Sequence, residues 1–322
     1  MHSVKLSYLL RGFKALVISG LFAISSAYAD APNTLRIGYQ KSSSILTLLK
    51  ADGSFEKQLA AKGVDVKWVE FPAGPQLLEG LNVGSIDFGY VGEAPPIFAQ
   101  AAGASFIYVG YQTPAPKAEA ILVPKDSAIK KVGDLRGKKI ALNKGSNVHY
   151  LLIKVLEKNG LKYSDVQPVF LAPADARAAF EKGSIDAWAI WDPFQAAAEI
   201  QISAKELANG VGVVNNLSYF LASRTYAEKN PLILKALFKA IAEQGIWIVK
   251  NRKAAAEALA PIQGLSPEII ELSLSRYNHD ILPINPKVLA EQQKLADVFY
   301  ELKLIPKPII VKDAVIPTEK AK

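Results

Sequence analysis

Gly84-Ser85-Ile86-Asp87-Phe88 returns 99 residues later as Gly183-Ser184-Ile185-Asp186-Ala187, and each copy runs straight into an apolar stretch. Two further pairs precede it in the same order. Arg36-Ile-Gly-Tyr-Gln-Lys-Ser42 matches Lys139-Ile-Ala-Leu-Asn-Lys-Gly145, at an offset of 103. Val64-Asp-Val-Lys-Trp-Val-Glu-Phe-Pro-Ala73 matches Val166-Gln-Pro-Val-Phe-Leu-Ala-Pro-Ala174, an apolar run stopped by Pro-Ala, at an offset of 101. Short apolar runs bounded by turn residues read as strands, and the 3.6-periodic stretches between them read as helices. Strands alternating with helices imply βαβ units and parallel sheets. Three matches in register make this a duplication, and a duplication of such units predicts two lobes of like design.

Working outward, the chain after Gly183 runs through Trp188-Ala-Ile-Trp191-Asp-Pro-Phe194 into a helix expected to reach about Leu207, then 211–214 and a turn at Asn215-Asn216. Helical patterns follow at Pro231–Lys250, 254–259, 267–277 and 286–302, and are expected to cover the first lobe. Segments near 117–122 and 213–220 would join the lobes. The expected division is a leader at 1–29, a first lobe from 30–117 with 218–322, and a second lobe from 118–217.

In parallel sheets, ligands bind beyond the carboxyl ends of strands, where helix N-termini point. Two facing lobes bring both sets of termini to one cleft, the usual place for a ligand. Ser42, Ser43 and Ser44 stand before the helical stretch 45–49, and Gly145, Ser146 and Asn147 before 148–158. Serine caps a helix, and the amides beyond it suit an anion. Gly145 lets a ligand approach the backbone. Gly92-Glu93-Ala94-Pro95-Pro96 starts a third helix, with proline in the first turn. Glu93 is either a carboxylate at the positive end of that helix or an acceptor for a ligand amino or hydroxyl group. Trp191-Asp192-Pro193-Phe194 offers another helix start and an aromatic plane, with Trp191 in the core or at the cleft and Trp188 in the core. His149, one turn into its helix, reads as packed or capping.

Composition removes most alternatives. Half of the 322 residues are hydrophobic and 21% are charged, a globular balance. There is no cysteine, which excludes disulfides, thiolate metal sites and thiol nucleophiles. Three scattered histidines make no metal centre, so neither a metal nor a cofactor is expected. The net charge of +8 falls to +5 without residues 1–29, and the remaining cations are interleaved with acids rather than striped as in nucleic-acid readers. Lys5, Arg11 and Lys14 precede the apolar run 15–24 and Ala27-Tyr28-Ala29. That is the grammar of a secretory signal peptide cleaved before Asp30. Without a cysteine at that site, the exported protein is not lipid-anchored.

Several of these runs carry a family resemblance: Trp68-Val-Glu-Phe-Pro-Ala-Gly-Pro-Gln76, Leu81-Asn-Val-Gly-Ser-Ile-Asp87, Pro95-Pro-Ile-Phe-Ala-Gln-Ala-Ala-Gly103, Lys144-Gly-Ser146, Pro173-Ala-Asp-Ala-Arg-Ala-Ala-Phe180 and Trp188-Ala-Ile-Trp-Asp-Pro193. Over nearly its whole length the chain resembles the aliphatic sulfonate-binding proteins of bacterial ABC importers. The resemblance implies a type II periplasmic binding protein fold: two α/β lobes, two crossovers and a central cleft. It implies ligand-binding positions at Gln40, Gly92, Glu93, Ser146, Asn147, Trp191 and Asp192, with Ser42 and Ser43 beside them, and marks Arg177 as a family feature. It also implies a periplasmic, non-enzymatic monomer that passes an alkanesulfonate to a permease and its ATPase for sulfur supply. Taurine, sulfate esters and nitrate are the competing ligands, and a sensor subunit the competing role. An enzyme on this fold, such as a thiamine pyrimidine synthase, would call for a cysteine or histidine centre and a cytosolic address. Lys41 and Lys144 either raise the potential near the anion or are solvated. The hold on a sulfonate is expected to be flat across neutral pH, with a fall through histidine's range pointing to His149.

Overall fold

A computed structural model describes residues 33–316; the expected leader at 1–29 lies outside the described residues. The chain runs β1 (Asn33–Tyr39), α1 (Ser44–Asp52), α2 (Ser54–Ala60), β2 (Val64–Glu70), α3 (Gly74–Asn82), β3 (Phe88–Gly92), α4 (Ala94–Ala101) and β4 (Phe106–Gln112). It crosses to β5 (Glu119–Val123), β6 (Lys139–Leu142), α5 (Asn147–Lys158), β7 (Gln167–Phe170), α6 (Pro173–Glu181), β8 (Ala187–Trp191), α7 (Phe194–Ile202) and β9 (Lys205–Asn209). It then returns through β10 (Ser218–Ser223), α8 (Arg224–Lys229), α9 (Pro231–Lys250), α10 (Arg252–Gln263), α11 (Pro267–Arg276), β11 (Ile281–Pro283) and α12 (Pro286–Glu301).

The first sheet has the order β2-β1-β3-β10-β4-β11, and the second β7-β6-β8-β5-β9. Each begins with three parallel strands from one βαβ copy and adds an antiparallel strand, β10 or β5. That fourth strand is the one that has just crossed from the other sheet. The crossovers, 113–118 and 210–217, are bonded to one another: Ala115 N–H donates to Asn215 O (3.1 Å) and Gly210 N–H to Pro116 O (2.9 Å).

The repeated Gly-Ser-Ile-Asp is a staple. Gly84 and Gly183 take left-handed φ values of 72° and 69° just after α3 and α6, a conformation that costs glycine nothing. The next serine N–H turns back to Gly80 O or Ala179 O. The aspartate then clamps the start of the first strand: Asp87 Oδ2 accepts from Arg36 N–H at 2.9 Å, and Asp186 Oδ2 from Lys139 N–H at 2.8 Å. Isoleucines 37 and 140 occupy matching, fully buried places in β1 and β6.

One apolar core lies around the second sheet, including Leu142, Leu151, Leu152 and Trp188. The first sheet carries two. On one face it packs Leu237, Ile241 and Leu259 of α9 and α10, and on the other Leu295 and Phe299 of α12. The C-terminal helices therefore cover both faces of the first sheet.

Some boundaries differ from the sequence reading. The helix after Trp191 stops at Ile202, not near Leu207, because Ser203 turns left-handed (φ 54°) and 205–209 become the edge strand β9. No glycine or proline marks that stop, so the apolar period appears continuous in sequence. Residues 211–213 form a turn, and the helix read at 254–259 extends over Arg252–Gln263 with Pro261 inside it. Strands β4 and β11 were not singled out in the sequence, although Phe106-Ile-Tyr-Val109 of β4 is an aromatic and β-branched run. Among the described residues no helix is long and apolar enough to cross a membrane.

Candidate functional site

Because the strands of each βαβ copy end at one edge, the following helices begin there together. A cavity lies at this edge. The first lobe supplies Gln40 after β1, Ser42 before α1, Gly74 at the start of α3, Tyr90 and Gly92 of β3, and Pro95 in α4. From the second come Ser146 and Asn147 at the start of α5 and Trp191 at the end of β8. Asn216 of the second crossover, Ser218 and Tyr277 complete the wall. Among the described residues that line it, none carries a formal charge.

Four helix starts (α1, α3, α4 and α5) reach this wall, and three of them bring free first amides; at α4 the Ala94 N–H is bonded to Asn147 and Pro95 and Pro96 carry no N–H. The first amides of a helix have no partner within it and bear partial positive charge. Convergent termini of this kind favour an anion, and hydroxyl and amide groups add donors. Gln40 Nε2 donates to Tyr90 O at 2.9 Å, which fixes its side chain. Ser146 Oγ donates to Asn143 O at 2.7 Å, so its proton is already engaged. Ser42 has no such bond among the described residues. Ser43 is buried, its Oγ without a protein partner, and lines a smaller adjoining cavity behind Tyr90 and Tyr277. Trp191 is 9% exposed and meets Phe194 edge-on, so it is both core and wall.

Asn147 is the most heavily bonded member of the wall. Its Oδ1 accepts from Ala94 N–H at 3.0 Å. Its Nδ2 donates to Asn216 Oδ1 at 2.7 Å and Leu217 O at 3.2 Å. The side chain occupies the space a Cβ on Gly92 would need.

Gly145, Glu93 and Asp192 stand behind the wall rather than on it. Gly145 turns left-handed (φ 76°) and donates to His149 Nδ1 at 3.3 Å. Glu93 Oε2 accepts from Leu217 N–H at 3.0 Å, anchoring the second crossover, and burial pushes its pKa up to about 7. Asp192 Oδ1 accepts from Ala196 N–H at 2.9 Å and the carboxylate pairs with Arg276 across the lobes. Burial raises its pKa to about 7 against the pull of Arg276. Glu119, fully buried in β5, is pushed well above the carboxylate range by burial and then by Glu93. Lys41 Nζ donates to Gln263 O, and Lys144 Nζ lies 5.5 Å over the Phe170 ring; neither lines the cavity. His149 is fully buried, bonded to Tyr163 Oη at 2.8 Å, and lowered to about 4 by burial and Lys144. Arg177 pairs with Glu181 along α6. Among the described residues no group of three or more His, Cys, Asp or Glu is placed to hold a metal ion.

The family model described as NMT1/THI5 like matches residues 58–255, more than half of the chain. The chain belongs to this family. Two solved structures resemble this NMT1/THI5-like protein over most of their length. The alkanesulfonate-binding protein SsuA from Xanthomonas axonopodis pv. citri, bound to MOPS, is 45% identical, with a TM-score of 0.84 over 89% of this chain and 99% of that one. The periplasmic aliphatic sulphonate binding protein SsuA from Escherichia coli is 46% identical, with a TM-score of 0.80 over 88% and 98%. The taurine-binding periplasmic protein of Escherichia coli (strain K12) is 29% identical over 68% of this chain and 70% of its own. The fold is that of the periplasmic binding proteins.

Sequence reasoning did not single out Gly74, Tyr90, Ser218 or Tyr277 as wall residues. A signal existed for Gly74, since Pro72-Ala73-Gly74-Pro75 is a strand stop followed by a helix start, and a Cβ there would come within 2.7 Å of Pro95. Ser218 and Tyr277 arrive from distant parts of the NMT1/THI5-like chain, and only the return crossover brings them to the cleft.

Proposed function

We propose that this chain is a periplasmic binding protein that captures aliphatic sulfonates and delivers them, unaltered, to an ABC permease and its ATPase for sulfur supply. The observation that carries this reading is the uncharged wall onto which the amide-bearing starts of α1, α3 and α5 converge. A sulfonate remains ionised across physiological pH and offers only acceptor oxygens. Backbone amides and hydroxyls match it without a titratable partner. The names of the two SsuA relatives support the same ligand class.

In this reading Gln40, Ser42, Ser146 and the first amides of α1, α3 and α5 face the head group, with Ser43 behind them. Trp191 and Pro95 face the alkyl tail, each methylene gaining up to ~0.8 kcal/mol if fully buried. Asn147, Glu93 and Asp192 hold the frame. The moving bodies are 30–117 with 218–322 and 118–217, and the protein works as a monomer after cleavage of the leader. Calorimetric titration with ethanesulfonate, taurine, sulfate and nitrate tests the reading. One-to-one binding tightest for ethanesulfonate is expected. Preference for nitrate or sulfate, with no response to ethanesulfonate, would overturn it.

A further inference from the structure

We propose that Asn147 is a positioning residue that fastens the start of α5 to the first lobe and to both crossovers, and so sets how long a ligand is held. The inference rests on the ligand-capture reading but not on which anion is captured. An asparagine amide offers two N–H donors, and both are engaged, with Asn216 Oδ1 and Leu217 O. Its oxygen accepts from Ala94 N–H at the start of α4. An N–H and a carbonyl of fixed polarity thus set the amide's orientation.

The bonds do not stop there. Asn216 Nδ2 donates to Ala115 O at 2.9 Å, in the other crossover. Leu217 N–H donates to Glu93, and Gln292 Nε2 donates to Glu93 O. Asn216 holds a left-handed backbone (φ 50°), which asparagine tolerates better than most residues. One side chain of the second lobe therefore touches the first lobe and a crossover directly, and the other crossover through Asn216. It does so beside Ser146 on the cavity wall. Gly92 supplies the keyhole, since a Cβ there would occupy the place of the carboxamide. The matching position in the first copy is Ser44, whose side chain makes no comparable set of bonds.

The test is stopped-flow binding of ethanesulfonate by the full mature chain, with folding of each variant checked by circular dichroism. Asn147→Ala should raise the dissociation rate by roughly tenfold or more, the scale of two or three neutral hydrogen bonds, while association changes little. Asn147→Asp should not rescue it, since a carboxylate has no donors for Asn216 and Leu217. Asn216→Gly, which keeps the left-handed backbone and removes only the amide, should shift dissociation in the same direction. Gly92→Ala should weaken binding strongly with Asn147 present and far less beside Asn147→Ala, because the clash is gone. Equal costs of Gly92→Ala in both backgrounds, or a loss confined to association, would overturn the proposal. If the unaltered chain ignores ethanesulfonate, the sulfonate reading fails; the same variants are then read with whichever of taurine, sulfate or nitrate binds.

Discussion

The two βαβ copies share a scaffold and differ at the strand ends. Ile37 and Ile140, Gly84 and Gly183, and Asp87 and Asp186 do the same structural work in each lobe. At the cleft the pairs part company. Gly92 stands where the second copy has Trp191, Ser42 where it has Gly145, Ser44 where it has Asn147, and Glu93 where it has Asp192. The first copy therefore gives a recess at Gly92 and an unengaged hydroxyl, and the second gives an aromatic wall and a side chain, Asn147, that reaches across to fill the recess. Packing constrains the scaffold in both copies alike. The face between them only has to fit one ligand, so its two halves are free to become complementary instead of equal.

The largest effect should come from the matched buried acids. Glu93 has no cationic partner among the described residues, and its folded pKa is raised from an ordinary 4.5 to about 7. The folded state then binds the extra proton between those values, so Glu93 makes stability fall as pH rises from about 4.5 through about 7. Glu93→Gln keeps an oxygen for Leu217 N–H and removes that fall. At pH 8 it should be more stable than the unaltered chain by on the order of 3 kcal/mol, with little difference at pH 4. Chemical denaturation at the two pH values reads this, and equal differences at both would remove the assignment.

Next come the two staples. Asp87 also receives Arg36 Nε at 2.9 Å and pairs with its Nη2, whereas Asp186 takes the Lys139 backbone bond without such an ion pair. Asp87→Ala should cost about 2–3 kcal/mol and Asp186→Ala about 1–2 kcal/mol in urea unfolding. A reversed order would mean that the Arg36 ion pair adds nothing to the first staple.

Ligand affinity should separate the helix starts more finely. Ser42 has a hydroxyl free to turn to the anion, while Ser146 must give up Asn143 O. Ser42→Ala should weaken ethanesulfonate binding by about 1.5–3 kcal/mol and Ser146→Ala by only about 1 kcal/mol. The expected pH-independence also needs revision. His149 is neutral above about pH 4 and sits off the wall. Glu93 and Asp192, both raised to about 7, gain negative charge near the anion as pH rises. Affinity should therefore decline severalfold between pH 6 and 8, and Glu93→Gln should reduce the decline. A decline that persists unchanged in Glu93→Gln and disappears in His149→Gln would restore the histidine.

Much of this was legible in the sequence because the duplication prints one pattern twice. The turns at Gly84 and Gly183 and helix α9, read at Pro231–Lys250, follow from local chemistry. The stop at Ser203 did not, since a left-handed serine has no signature like that of glycine. Gln40, Ser42, Gly92, Ser146, Asn147 and Trp191 could be placed at strand ends from spacing, and they come together on one wall. The roles of Glu93 and Asp192 depend on Leu217 and Arg276, more than 80 residues away in sequence, and no local pattern carries that.

In the proposed reading the cleft is an anion site made of helix starts and hydroxyls from two diverged copies, without a counter-charge. A crystal structure of the mature chain with ethanesulfonate tests it most directly. The sulfonate oxygens should lie within hydrogen-bond distance of backbone amides at the starts of α1, α3 and α5 and of Ser42, with no cationic side chain at ion-pair distance. A head group gripped by Lys41, Lys144 or Arg276, swung in from their present partners, would contradict it.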